Sequence, residues 1–139
     1  MSLPNITVSA VIAKPIAQVW EAWTKPEHIK GWCFASPDWE VGEVSNDLRV
    51  GGRCSTVMRA KDGSAGFDFN GVYTAVLDRA QIDYTIEGGR VVSIRFAEQD
   101  GGVEITETFE MEGENSEELQ RAGWQSILNN FKAYTEQLS

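Results

Sequence analysis

The sequence predicts an α+β fold in which a curved antiparallel sheet wraps around a long C-terminal helix. Three features predict it: one strand and two short helices at the start, six β-rich segments divided by turn signals, and an amphipathic helix at the end. Short turns join antiparallel neighbours, because a parallel pair would need a long crossover. At 139 residues the chain fits one domain, 1–139, with the order β-α-α-β₆-α.

The N-terminal elements follow from two different periodicities. Residues 6–12 place four aliphatic side chains on one face at period 2, which is typical of a half-buried strand. Pro15 suits the first position of a helix, where its missing N–H removes no hydrogen bond. Apolar residues recur at helical spacing from Ile16 to Trp23, which predicts a helix with one buried stripe. Pro26 ends this helix and can begin a second, short one over 26–32.

The central part of the chain is predicted to be a six-stranded meander. Turn signals divide it at Asn46-Asp47, Asp62-Gly63, Gly88-Gly89 and Gly101-Gly102. We predict strands at 39–45, 52–60, 66–77, 80–87, 90–99 and 102–111. The Gly51-Gly52 pair could supply a kink or bulge that curves the sheet. The edge strand 39–45 could pair between two copies of the chain, which would make a homodimer.

The last element is predicted to be a long helix. Asn115 is the predicted N-cap, and Glu118 at the third helical position resembles the second half of a capping box. Apolar residues from Leu119 to Leu138 then follow one face. At ~1.5 Å per residue, roughly 20 residues make a helix about 30 Å long, enough to cross a small domain.

Composition excludes several classes of partner. The chain has a net charge of −9 and a pI near 4.5, so no basic surface exists to attract a nucleic acid. No apolar run reaches the roughly 20 residues of a membrane span, so we expect no membrane insertion. Cys33 and Cys54 are too few for a disulfide framework, and Met1-Ser2-Leu3-Pro4 lacks the features of a secretory signal. We therefore expect a cytoplasmic protein with free thiols.

Four short motifs, in order, resemble those of a known superfamily. They are Lys14-Pro15-Ile16-Ala17-Gln18-Val19-Trp20, Pro26-Glu27-His28-Ile29-Lys30-Gly31-Trp32, Gly51-Gly52-Arg53 and Gly123-Trp124. Their order and spacing resemble the START-like (SRPBCC) superfamily and, more narrowly, the bacterial homologues of the activator of heat-shock-protein ATPase. The resemblance covers roughly residues 6–138. It implies a helix-grip fold with a cavity between the sheet and the long helix, used in the superfamily for lipids, hormones, polyketides and other apolar molecules.

Aromatic residues are the main candidates for lining such a cavity. Aromatic side chains usually fill a core, but ligand sites are also mostly apolar and aromatic, with few polar groups. Trp32, Phe34 and Trp39 flank the irregular stretch 33–38, where we place the cavity mouth, whereas Trp20 is assigned to the core. The predicted ligand-binding residues are Trp32, Phe34, Trp39, Met58, Phe67, Phe69, Tyr73, Glu107, Trp124 and Phe131.

Glu107 is the one charged residue among these candidates. In the predicted strand 102–111, period-2 alternation puts Glu107 on the apolar face with four hydrophobic residues. A carboxylate buried without a partner is costly, so it should pair with another group or have a raised pKa. We expect Tyr73 or a cavity water as its partner. A β-bulge near Gly101-Gly102 is the alternative, because it would turn Glu107 to solvent.

No complete catalytic or metal-binding motif is evident, so we expect no catalytic residue, no metal and no cofactor. His28 fits a solvated helix face, and Cys33 and Cys54 fit small buried side chains near the cavity. Arg53 and Arg95 could be cations at the cavity mouth, although surface ion pairs are the favoured explanation, since the chain has 21 acidic side chains.

The leading hypothesis is therefore a binding module that holds a hydrophobic small molecule, lipid-like or aromatic, without transforming it. The first alternative is an enzyme of the cyclase or hydrolase type that uses Glu107, Tyr73, Arg95 or a cysteine for acid–base chemistry. The second alternative is a co-chaperone-like regulator of a heat-shock ATPase.

Overall fold

The computed structural model describes residues 5–34, 36–86, 89–113 and 115–138, and it has the predicted helix-grip fold. Seven antiparallel strands form one curved sheet, with three helices on its concave side. The strands are β1 (Asn5–Ile12), β2 (Trp39–Asn46), β3 (Arg53–Ala60), β4 (Gly66–Leu77), β5 (Gln81–Ile86), β6 (Val91–Gln99) and β7 (Gly102–Glu110). The helices are α1 (Ile16–Thr24), α2 (Pro26–Ile29) and α3 (Glu117–Glu136).

The sheet brings the first and last strands together. Its order is β1-β7-β6-β5-β4-β3-β2, so β1 and β2 form the two edges. The register of β7 is continuous with both neighbours, and it pairs Glu107 with Val8 and with Ile94. The bulge considered near Gly101-Gly102 is therefore absent from this pairing. The side chains of β7 that alternate onto the concave face, from Val103 to Phe109, are buried.

The Gly51-Gly52 pair lies just before β3 and does not interrupt it. Gly51 N–H donates to the Tyr73 carbonyl at 2.8 Å, and Tyr73 N–H donates to the Gly52 carbonyl at 3.0 Å. The pair therefore extends the pairing of β3 with β4. A Cβ at Gly52 would lie 2.1 Å from the Asp47 carbonyl oxygen, so this close approach requires glycine. The register shifts lie elsewhere, between Val41 and Val44 and between Tyr73 and Ala75.

Helix α3 covers the edge strand β1. Arg121, Gln125 and Lys132 donate to the carbonyls of Thr7, Ser9 and Val11 at 3.0, 3.1 and 2.5 Å. These carbonyls alternate along β1 and point away from β7, so they would otherwise lack a partner in the sheet. The helix is thus fixed to one edge of the sheet. The homodimer suggested for the opposite edge, β2, stays a prediction.

The start of α3 and the end of α2 differ from the predicted boundaries. Ser116, and not Asn115, is the N-cap of α3, because its Oγ accepts from Leu119 N–H at 3.1 Å. Helix α2 ends at Ile29, and a turn continues to residue 32. Residues 87 and 88, assigned to the end of a strand and a turn, lie outside the described residues. Trp20 is buried in the core, as predicted.

None of the helices in the described ranges is long and apolar enough to cross a membrane.

Candidate functional site

A cavity of about 300 Å³ lies between the concave face of the sheet and the three helices. Strands β2, β3, β4, β5 and β7 form one wall, and α1, the α2 turn and α3 form the other. The cavity is therefore displaced toward the β2 side of the sheet, away from the edge that α3 covers.

The helical wall is aromatic and held in place by packing. Trp23 of α1 and Trp32 of the α2 turn have ring centroids 4.9 Å apart. The indole N–H of Trp32 donates to the Ala22 carbonyl at 2.9 Å, which leaves no unsatisfied polar group on this ring. From α3, Trp124 stacks on Phe109 of β7 with a centroid distance of 4.0 Å and an interplanar angle of 14°. These contacts give the cavity a preformed wall.

The sheet wall is mixed. Its apolar part comes from Val44 of β2, Met58 of β3, and Phe67 and Phe69 of β4. Phe67 is 52% exposed, which places an opening of the cavity at this residue. The polar part comes from residues that alternate onto the same face: Asn46, Cys54, Thr56, Tyr73, Tyr84 and Glu107.

Glu107 is buried on the cavity wall, as the strand alternation predicted, with only 5% of the residue exposed. Burial raises the pKa of its carboxyl from 4.5 to about 8. In the described part of the chain, no ion pair or hydrogen bond involves this side chain. At neutral pH the carboxyl is therefore mostly protonated and can donate a hydrogen bond into the cavity.

Tyr73 is not the partner of Glu107, which corrects the expected pairing. Its hydroxyl donates to Asn46 Oδ1 at 2.5 Å, and Asn46 Nδ2 donates to the Thr24 carbonyl at 2.6 Å. This chain of hydrogen bonds joins β4, β2 and the end of α1. Burial raises the pKa of the Tyr73 phenol, so the hydroxyl stays protonated and keeps the contact.

The two cysteines are free and line the cavity. Burial raises the pKa of the Cys33 thiol to about 12, with a further contribution from Glu107. Burial also raises the pKa of Cys54. A nucleophilic cysteine needs a lowered pKa, so both thiols behave as small apolar groups.

The structure brings seven of the ten predicted ligand-binding residues to the cavity wall: Trp32, Met58, Phe67, Phe69, Tyr73, Glu107 and Trp124. The other three are elsewhere. Phe131 is fully buried and packs edge-on against Trp23 and Trp32, so it supports the wall from behind. Phe34 is held by Asn130, which donates to its carbonyl at 2.5 Å, and Trp39 lies beside Phe67 at a centroid distance of 5.8 Å.

Several other candidate residues lie in positions that differ from the predicted ones. His28 is half-buried, and its Nδ1 lies 2.7 Å from the Tyr134 hydroxyl, so it is not on a solvated face. Arg53 and Arg95 are exposed and do not line the cavity. Arg90 does line it, and its Nη1 donates to the Glu110 carbonyl at 3.1 Å.

Arg90 and Asn46 were not identified from the sequence as cavity residues. In the predicted strand 90–99, Arg90 lies at period 2 from Val92 and Ile94, and this alternation is the sequence signal that could have placed it on the inner face. Asn46 belongs to the Asn46-Asp47 turn signal and is also the last residue of β2. Its only sequence signal is its spacing of two from Val44. Among the described residues no group of acidic, histidine or cysteine side chains could hold a metal ion.

The fold and the cavity between sheet and helices define a helix-grip domain of the START-like class. The sequence profile of the family described as Activator of Hsp90 ATPase homolog 1-like protein matches residues 13–136, and the chain belongs to this family. No curated protein matches the chain.

Solved structures of similar proteins agree with the fold. The chain resembles an AHSA1-like protein from Aeromonas hydrophila with 44% identity and a TM-score of 0.91, over 96% of this chain and 92% of that one. A protein from Cytophaga hutchinsonii is 48% identical with a TM-score of 0.83, over 95% and 92% of the two chains. A protein from Nitrosomonas europaea shares the fold at 21% identity, with a TM-score of 0.82 over 96% and 94% of the two chains.

Proposed function

We propose that this protein binds a small hydrophobic molecule, lipid-like or aromatic, in the cavity between its sheet and α3, without transforming it. The observation that carries the proposal is the cavity of about 300 Å³ with its aromatic and aliphatic wall. Ligand sites begin at roughly this volume and have the same composition, with a few polar groups that fix orientation. The cavity is at the small end of that range, which favours a compact ligand over a long-chain lipid.

The proposed cellular setting is the cytoplasm. Cys33 and Cys54 are free thiols, which persist in a reducing compartment.

The enzyme alternative has weaker support from the arrangement of side chains. Arg95 is exposed on the outer face, and the Tyr73 hydroxyl is engaged by Asn46. Among the described residues that line the cavity, Glu107 is the one with a free carboxyl. A single acid without a positioned nucleophile or base does not complete a catalytic site. The co-chaperone alternative rests on the family description alone, whereas ligand binding rests on the cavity.

The test is ligand capture by the intact protein. Native mass spectrometry of protein purified from its own host is expected to find an apolar molecule retained at one per chain. Recombinant protein is expected to bind the uncharged fluorescent dye N-phenyl-naphthylamine in the same cavity. The substitution Val44→Phe places a larger side chain in the cavity and is expected to weaken dye binding by about tenfold or more, since it removes volume that the ligand needs.

Val72→Phe is the matched control. Val72 lies on β4, is 37% exposed and does not line the cavity, so this substitution is expected to leave dye binding unchanged. Equal dye binding by the Val44→Phe and Val72→Phe proteins would contradict the proposal.

A further inference from the structure

The cavity contains a carboxyl group that no group of the described residues neutralises. Glu107 projects from β7 between Val8 and Ile94 and takes part in none of the ion pairs or hydrogen bonds of the described residues. Natural proteins pair a buried carboxyl group in most cases, because leaving it alone costs free energy. A partner supplied from outside the chain would remove this cost.

The side chains around the cavity are suited to a cation. The rings of Trp23, Trp32, Tyr84 and Trp124 line the same space, and the faces of such rings attract positive charge. A carboxylate together with aromatic faces is the combination that recognises ammonium groups. The net charge of −9 also favours the approach of a cation over that of an anion.

We propose that the ligand is a hydrophobic amine, whose ammonium group pairs with the Glu107 carboxylate while its apolar body fills the rest of the cavity. This inference rests on the proposed function and narrows it to one chemical class. An acidic ligand at this position would leave Glu107 in its protonated form, because two adjacent carboxyl groups cannot both ionise, so it would form no ion pair with Glu107. Arg90, the basic residue on the cavity wall, donates one hydrogen bond from Nη1 to the Glu110 carbonyl.

Binding of an ammonium group would release the proton of Glu107. Because burial raises the pKa of Glu107 to about 8, the free protein holds this proton at pH 7, and the ion pair needs the ionised form. The charge balance is one ammonium ion bound and one proton released to the buffer. Because the pKa of Glu107 lies above 7, most molecules hold this proton at pH 7, so net proton release to the buffer is expected on binding.

Other titratable groups near Glu107 do not change charge in this range. Burial places the pKa of Cys33 at about 12 and raises the pKa values of Cys54, Tyr73 and Tyr84 above their ordinary values. Arg90 also lines the cavity with its guanidinium group. The α3 residues facing the cavity, Trp124 and Ile127, carry no titratable group. The proton release therefore reports on Glu107.

The experiment compares phenethylamine with phenethyl alcohol by isothermal titration calorimetry in buffers of different ionisation enthalpy. The amine is expected to bind the native protein about tenfold or more tightly than the alcohol, since a charge-assisted hydrogen bond replaces a neutral one. Proton release is expected with the amine alone. Affinity for the amine is expected to rise from pH 6 to pH 8, because the carboxylate form of Glu107 becomes more abundant.

Two variants test whether the preference for the amine comes from the ion pair between its ammonium group and Glu107. Glu107→Gln is expected to remove the preference for the amine and the proton release, while the alcohol still binds. Glu104→Gln is the control, because Glu104 lies on the same strand and is exposed on the opposite face. The native protein supplies the proton measurement even if Glu107→Gln proves unstable.

Equal affinity for amine and alcohol, absence of proton release, or failure of both compounds to bind would each overturn the amine inference. The proposed function is judged separately by the uncharged dye. Dye binding without amine preference would reject the amine and leave hydrophobic ligand binding in place.

Discussion

At the scale of single residues, Glu107 is held in a protonation state that the unfolded chain would not share. The unfolded carboxyl ionises near pH 4.5, whereas the folded one ionises near pH 8. Between these values the folded state binds more protons than the unfolded state. Its stability must therefore fall as the pH rises through this window.

The substitution Glu107→Gln is expected to remove this pH dependence. The native protein should lose up to about 1.4 kcal/mol of unfolding free energy for each pH unit between about pH 4.5 and about pH 8, whereas the variant should not. Urea unfolding at several pH values measures the difference. Glu104→Gln, on the exposed face of β7, is expected to follow the native curve. A native curve parallel to that of Glu107→Gln would show that folding does not raise the pKa of this carboxyl.

The sequence was sufficient to assign Glu107 to the concave face, because strand alternation is a local property of β7. It was not sufficient to identify hydrogen-bond partners. Tyr73 engages Asn46, which is 27 positions away, and this contact depends on how β4 and β2 are placed relative to the end of α1. The sequence predicts a solvent-facing His28 because its hydrogen-bond partner, Tyr134, lies 106 positions away and is not evident from local pattern.

At the scale of secondary-structure elements, strand limits were predictable to within one or two residues because turn residues mark them. Helix ends were less predictable than strand ends. Asn115 and Ser116 are both good N-cap residues and are adjacent in sequence, so residue preference does not choose between them. The structure uses Ser116, while Asn115 N–H donates to Glu112 Oε1 at 3.0 Å. The local loop conformation thus decides where α3 begins.

Replacing the N-cap of α3 is expected to destabilise the protein. Ser116→Ala removes the hydroxyl that accepts from Leu119 N–H and should cost about 1 kcal/mol of unfolding free energy. Asn115→Ala is the matched control and should cost less, because its side chain caps no helical N–H. Chemical denaturation of both variants measures the two costs. A larger loss for Asn115→Ala would contradict the assignment of the cap.

At the scale of the whole molecule, the cavity results from the one-sided attachment of α3. The polar contacts of Arg121, Gln125 and Lys132 fix the helix to β1, and Trp124 stacks over β7. The helix therefore cannot also close on β3 and β4, whose inner faces border the cavity. Hydrophobic periodicity predicts the apolar face of each element, but the volume left between the elements depends on these long-range contacts. For this reason the cavity volume could not be predicted from the sequence.

This asymmetry is expected to divide the sheet into two regions of different local stability. The inward residues of β6 and β7, such as Val92, Ile94 and Ile105, are fully buried in the core. Those of β3 and β4 border unfilled space and therefore lack packing partners on one side. In ligand-free protein, amides of β3 and β4 should exchange with deuterium on the order of tenfold faster than those of β6 and β7, although all four strands are interior to the sheet.

Saturation with the dye N-phenyl-naphthylamine is expected to narrow this difference. Ligand at about 100 times its Kd stabilises the occupied state by about 2.7 kcal/mol. The free energy of any opening of β3 and β4 that releases the ligand rises by the same amount, so these openings become rarer. Hydrogen exchange resolved by strand measures both states. The Val44→Phe protein, whose cavity is partly filled, should show a smaller difference before any ligand is added. Equal exchange rates across the four strands in the free protein would contradict the link between the cavity and local stability. A difference in exchange rates that the dye leaves unchanged would contradict binding of the dye in this cavity.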